Sequence, residues 1–271
     1  MNIISPKYDF SAKELFSNEV VRRHFISDVL GIPIEKIRSV RMLNPFLRKR
    51  FRLQKQGILD VLVELNDSTK INIEVQVVLF TNWDRRSLFY LAKMYTEDLL
   101  VGENYAKLKR CVSISILDFN LTDSEEYHKV YRLRDEQGNE FSDLLEVHTI
   151  ELRKKLKGNG KMDDWIRLFN AKTEEDLDMI QTKNVGLQEA INMVKTMSLS
   201  KRMRLRYEAH MKDVRDRRAR EDYVRQESLI QVAQRMLAKG VPMEDIIAYT
   251  GLTEDVIACA GLTDIQEEEK K

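Results

Sequence analysis

The chain has 271 residues, 43% of them hydrophobic and 33% charged, with a formal net charge of +1. That composition describes a folded globular protein with room for one large domain or two smaller ones, and it excludes an intrinsically disordered chain. It carries no bulk positive charge to point to nucleic acid, no apolar run near the ~20 residues of a membrane span, and no secretory pattern in Met1–Asp9.

Phe10, Leu15, Phe16, Val20, Val21, Phe25, Ile26, Val29 and Leu30 recur on a helical period, which predicts a helix over 9–30 ended by Gly31-Ile32-Pro33. A basic stretch follows, with Arg38, Arg41, Arg48, Lys49, Arg50, Arg52 and Lys55 interleaved with Phe46 and Phe51. Such a stretch is either a solvated face or a grip on DNA phosphates.

Residues 58–65 and 70–78 then read as two strands joined through Asn66-Asp67-Ser68-Thr69. Side chains alternate along a strand, so Ile71, Ile73, Val75 and Val77 share one face and Lys70, Asn72, Glu74 and Gln76 the other. Asp60 stands among apolar residues of the facing strand. Asp60 and Glu74 together could bind one divalent ion, the smallest constellation for metal-assisted phosphodiester hydrolysis. Opposed residues of an antiparallel pair point to one face, so the two acids meet only if paired numbers sum to an even number. A two-residue turn gives the wrong parity. A three-residue loop, Asn66–Ser68, sets Asp60 opposite Glu74, and Asp67–Thr69 sets it opposite Gln76. An odd loop, or an even one corrected by a bulge, is therefore expected.

Asn82 reads as the N-cap of a helix through Trp83, Leu88, Leu91, Tyr95 and Leu99, with Gly102 past its end. Strands are expected at Cys111–Phe119, Tyr127–Leu133 and Leu144–Leu152, the last two separated by Gln137-Gly138-Asn139. From Asp163 onward the pattern is helical, with starts at Thr173 and Ser200. Residues 212–225 form a solvated helix or a hinge. Leu229–Lys239 ends at Gly240, and two short helices, Met243–Tyr249 and Thr253–Ala260, flank Thr250-Gly251-Leu252. This segment has helix-turn-helix proportions, but the second short helix lacks lysine and arginine, so packing or homodimerisation is preferred to DNA recognition. The expected division is a core over 1–155, a helical extension over 156–225, a small helical module over 226–262 and a disordered tail over 263–271. The expected fold class is α/β: a mixed sheet flanked by helices, with an all-helical C-terminal region. Cys111 and Cys259 have no metal-ligand spacing and predict a reducing, cytoplasmic setting. His24, His128, His148 and His210 are scattered and read as structural or exposed.

Ser5-Pro6-Lys7-Tyr8-Asp9-Phe10 with Lys13 and Leu15-Phe16, then Leu59-Asp60-Val61, Ile71-Asn72-Ile73-Glu74-Val75-Gln76, Arg86, Tyr90, Tyr95, Gly102-Glu103-Asn104-Tyr105 and Thr250-Gly251-Leu252 together resemble the PD-(D/E)XK nuclease family transposases, or recombination-promoting nucleases. The resemblance implies a restriction-endonuclease-like core and magnesium-dependent DNA cleavage, with Mn²⁺ or Ca²⁺ as alternative ions. It makes Asp60 and Glu74 metal-binding acids and catalytic residues, with Gln76 as the catalytic partner that orients water. Gln76 stands where the wider superfamily has lysine, which replaces a positive charge with a neutral amide. For the first-helix acid, Glu14 and Glu19 are candidates, Glu14 preferred. Arg48, Lys49, Arg50, Arg52 and Arg86 are the candidate DNA contacts. Two functions follow: a DNA endonuclease serving recombination or transposition, or a non-catalytic DNA-binding or scaffold protein that keeps the fold.

Overall fold

The computed structural model describes residues 2–46, 59–158 and 160–258. Arg48, Lys49, Arg50 and Arg52, Cys259 and the tail over 263–271 lie outside the described residues. The chain divides into two compact units, Met1–Arg204 and Leu205–Lys271.

In the first unit the expected opening helix is two helices, α1 (Asp9–Ser17) and α2 (Glu19–Leu30). The break falls at Asn18, whose backbone is extended and whose side chain accepts from the amides of Val20 and Val21 as the N-cap of α2. α2 stops at Gly31, which takes the left-handed conformation (φ 66°) that favours glycine.

Six strands follow among the described residues: β1 (Val40–Met42), β2 (Val61–Leu65), β3 (Lys70–Gln76), β4 (Cys111–Leu117), β5 (His128–Arg134) and β6 (Glu140–Glu151). They form one sheet in the order β1-β2-β3-β4-β6-β5. The β3/β4 and β4/β6 pairs are parallel and the rest antiparallel, the mixed sheet that the sequence predicts. β1 is a three-residue strand the sequence pattern did not reveal. At the other edge, the β5/β6 register shifts around Leu133.

The centre of this sheet is buried on both sides. One face is aliphatic: Ile71, Ile73, Val112, Ile114 and Ile116 are each at most 1% exposed. The other carries Asn72, Glu74, Ser113 and Ser115, also buried. α3 (Trp83–Thr96) covers this second face. Its Leu91 and Met94 pack with Leu62 and Cys111, and its Trp83 packs with Leu117 and Phe119. Asn82 precedes α3 but does not cap it with its side chain. It sits in the left-handed region (φ 64°), and its carbonyl accepts from the Arg86 amide. α3 ends at Thr96, so Gly102 belongs to a separate turn.

α4 (Lys161–Asn170), α5 (Glu174–Asp178) and α6 (Val185–Leu199) belong to the first unit; α4 and α6 pack back towards α1 and α2, and α5 packs on α4. Their shared core is aromatic. Phe25 lies 5.0 Å from Phe16, 5.1 Å from Trp165 and 6.2 Å from Phe169 by ring centroids, within the range of favourable tilted and edge-to-face packing. Gly186 in α6 lies against α2, and a Cβ there would come within 2.3 Å of His24 Cβ.

His128 and His148, twenty residues apart, are brought together by the β5–β6 hairpin. His128 Nε2 lies 2.9 Å from His148 Nδ1, and His148 Nε2 lies 2.8 Å from Glu146 Oε1. Arg132, at 2.7 Å, and Arg110 complete the shell around Glu146. Burial opposes ionisation of Glu146, but His148 and the two arginines hold its pKa well below the usual carboxylate range. Burial, with the adjacent His148, pushes His128 down to about 4.

The second unit holds most of α7 (Lys201–Ala238), a continuous 38-residue helix that includes the charged stretch over 212–225. α8 (Met243–Thr250) follows, and Ala233, Ile246, Leu252 and Ile257 form the unit's own buried cluster.

Two outcomes follow. Gly186→Ala should destabilise the protein by about 1–3 kcal/mol, because α2 and α6 must separate around His24; an unchanged denaturation midpoint would refute this close approach. Since the folded pKa of His128 lies below the unfolded 6.5, the unfolded chain takes up the proton first. Stability should therefore fall as pH drops from 6.5 through 4, by about 1–2 kcal/mol between pH 7 and pH 5. Denaturant titrations at both pH values should show a smaller loss in His128→Gln than in the wild type.

Candidate active site

The β2–β3 hairpin sets the site. Its register pairs Val61 with Ile73, Leu62 with Asn72 and Val63 with Ile71. The Leu65 amide donates to the Thr69 carbonyl at 2.9 Å, which closes the three-residue loop Asn66–Ser68. The Ser68 amide returns to the Leu65 carbonyl at 3.0 Å, and Ser68 itself is left-handed (φ 65°). A turn followed by a left-handed residue is the usual form of a three-residue hairpin loop, normally with glycine in the last place. Here the Asp67 carboxylate supports it by accepting from the Thr69 amide at 3.0 Å. The register carried back one step sets Asp60 opposite Glu74, on the face under α3, as the parity argument requires.

Asp60 sits immediately before β2, its side chain 31% exposed, and its carboxylate accepts from the Val75 amide. Burial, then the charge of Glu74, then that of Asp9 pushes its pKa up to about 7, against the opposing pull of Lys13. Glu74 is 8% exposed, and burial raises its pKa too, partly offset by Arg86. A partly exposed and a buried carboxylate thus share one face with their charges incompletely compensated.

The compensating cations come from helices. Lys13 Nζ lies 2.7 Å from Asp9 and 3.8 Å from Asp60. Arg86 lies 3.4 Å from Glu74 Oε1, and its guanidinium is held over the rings of Phe80 (5.0 Å) and Tyr90 (5.3 Å). Such stacking orients the planar guanidinium as well as attracting its charge. Gln76 shares the face, but its side-chain amide donates to the Val78 carbonyl at 3.0 Å. Lys70, at the far end of the same face, pairs with Asp98 (2.5 Å) and Glu97 (3.8 Å), away from the acids.

Of the residues singled out in the sequence, Asp60, Glu74 and Arg86 come together. Glu14 is exposed, as is Glu19; the first-helix acid whose charge bears on Asp60 is Asp9. The roles of Asp9 and Lys13 escaped sequence reasoning, although an acid and a lysine four apart at a helix start were there to be read.

Among the described residues no group of three or more histidine, cysteine, aspartate or glutamate side chains is arranged to hold a metal ion. The donor set is two oxygen carboxylates, which suits a hard cation that keeps waters in its remaining positions, as Mg²⁺ does. The repulsion between Asp60 and Glu74 that Lys13 and Arg86 leave uncompensated fits such an ion as well. A cleft of about 780 Å³ between the end of α2 and the start of α4 includes neither acid. No described helix is long and apolar enough to cross a membrane.

A family model described as PD-(D/E)XK nuclease family transposase matches residues 6–223. Comparison with curated proteins and with solved structures yields no match.

The carboxylate pair makes a stability test. Asp60 ionises less readily in the folded state than in the unfolded state, where its pKa is near 3.8, so stability is lost as pH rises from 3.8 through 7. At pH 8, without divalent ions, Asp60→Asn should be more stable than the wild type by about 2 kcal/mol. Ca²⁺ or Mg²⁺ should raise the Tm of the wild type by mass action and leave that of Asp60→Asn unmoved. A less stable Asp60→Asn would show that the pair is not under repulsion.

Proposed function

The chain belongs to the PD-(D/E)XK nuclease family transposases, and from that membership we propose that it is a metal-dependent DNA endonuclease serving recombination or mobile-element transposition. The observation that carries this reading is the pair of acids, Asp60 and Glu74, held on one face of the sheet with Asp60 pushed up to about 7. A divalent cation bound by these two acids, Mg²⁺ foremost and Mn²⁺ or Ca²⁺ in its place, supplies Lewis acidity and an activated water.

The chain's own residues divide the remaining work. Arg86, stacked between two rings, binds a phosphate oxygen of the DNA backbone in a fixed orientation. Lys13, anchored by Asp9, brings positive charge to the developing charge on the phosphorus oxygens. Gln76 donates through its amide nitrogen to the Val78 carbonyl, which braces the end of β3 and leaves its amide oxygen to orient a water. Arg48, Lys49, Arg50 and Arg52 lead into the Asp60 strand and neutralise further phosphates.

A second reading, a DNA-binding scaffold that keeps the fold without cleavage, is favoured by Gln76 itself, a neutral amide where a lysine would bring positive charge. Incubation of supercoiled plasmid with Mg²⁺ or Mn²⁺ separates the two. The endonuclease reading expects nicked or linear product that Asp60→Ala and EDTA abolish. Lys13→Ala and Arg86→Ala should each lower cleavage about 10²-fold, and Gln76→Ala by less than about 10-fold. Plasmid that is bound but uncut with every ion would leave the scaffold.

A further inference from the structure

A band of polar side chains lies behind Glu74, beneath α3. Along α3, Trp83 packs with Leu117 and Phe119, and Leu91 and Met94 pack with Leu62 and Cys111. Ser87 is the buried α3 residue between these two apolar clusters, which sets it over the middle of β4. In the sheet below, Glu74 is paired with Ser115 and Ser115 with Thr149. Parallel partners point the same way, so the three side chains form one row at the strand spacing of about 4.8 Å. Asn72 stands on the same face two residues before Glu74.

Asn72, Ser87, Ser115 and Thr149 are 3%, 6%, 1% and 1% exposed. Asn72 Oδ1, Ser87 Oγ, Ser115 Oγ and Thr149 Oγ1 are all buried, and none has a hydrogen-bond partner among the protein atoms. Buried polar atoms are rarely left so, and an apolar residue at any of these places would remove the penalty. Where protein partners are lacking and several polar atoms converge, internal water satisfies them. Each hydroxyl can both donate to and accept from such a water, and a carboxylate at the end of the row accepts from the last one.

We propose that this band holds internal water against Glu74, and that Ser115, Thr149 and Ser87 are positioning residues that fix the Glu74 carboxylate towards Asp60. The positioning role rests on Glu74 being a metal ligand, as proposed above; the hydration does not. Groups that orient a metal ligand from behind typically change metal affinity 10–100-fold when removed.

Thr149→Val keeps the shape of the side chain and removes its hydroxyl, and Thr149→Ser keeps the hydroxyl. Two measurements on the metal-free full chain read the hydration. With water present, magnetisation exchange from water to the Ser115 and Thr149 amides should be seen in the wild type and lost in Thr149→Val. The Tm should fall in Thr149→Val and be largely kept in Thr149→Ser. A higher Tm in Thr149→Val without exchange in the wild type would mean a dry band and overturn the proposal. Calorimetric titration with Ca²⁺ reads the positioning: Thr149→Val and Ser115→Ala should bind 10–100-fold more weakly, with affinity restored in Thr149→Ser. Unchanged affinity in variants that have lost the water would overturn the positioning role. A wild type that binds no Ca²⁺ overturns the metal reading itself and, with it, the positioning role, while the hydration result stands on its own measurements.

Discussion

Two carboxylates confront each other across β2 and β3 because the loop between those strands has an odd number of residues. A slip of one residue would send Asp60 to the aliphatic face, since side chains alternate along a strand. What holds the register is small: the Leu65–Thr69 closing bond, the return from Ser68, and Asp67 braced on the Thr69 amide. Ser68 accepts a left-handed backbone without being glycine, a local strain of the kind that persists only where its surroundings enforce it. The Val75 amide on Asp60 presupposes this pairing.

The two faces of β3 and β4 do different work. The aliphatic face is pure packing, and it adds to the apolar burial of the Phe16–Phe25–Trp165–Phe169 cluster and of the two smaller clusters under α3. The α3 face gives up stability to polar and charged groups. It keeps like charges together, compensates them with cations from α1 and α3, and interrupts its own apolar contacts with hydroxyls. Arg86 links the carboxylate pair to the packing, because the rings beside it belong to the segment after β3 and to α3 itself.

Much of this was legible in the sequence. Strand alternation, the few loops that satisfy parity, and the family resemblance put Asp60 and Glu74 on one face. The switch from alternating to helical periods separated sheet from helix. The break at Asn18 was hidden because the apolar period continues through it, and only the capping bonds reveal it. Asp9 and Lys13 reach Asp60 through the tertiary placement of α1 beside the start of β2, which leaves no periodic trace. His128 and His148 read as unrelated for the same reason, since only the hairpin makes them neighbours. That Gln76 turns to the Val78 carbonyl was not readable either, because a neutral amide fits a catalytic and a bracing role equally well.

The outer edge of the sheet at β5 has a further consequence. An edge strand with unpaired backbone groups is a template on which another chain can add, and Val130, Tyr131 and Leu133 there are 40–45% exposed. The register shifts around Leu133 bend this strand out of the straight ladder an incoming strand would need. Lys129, Arg132 and Arg134 give the segment a positive charge, partly met by Glu146, Glu151 and Glu140 on the protein's own side. The irregular pairing of β5 thereby protects the chain from end-to-end assembly of sheets, so that it can expose apolar side chains at its border without becoming a seed for aggregation.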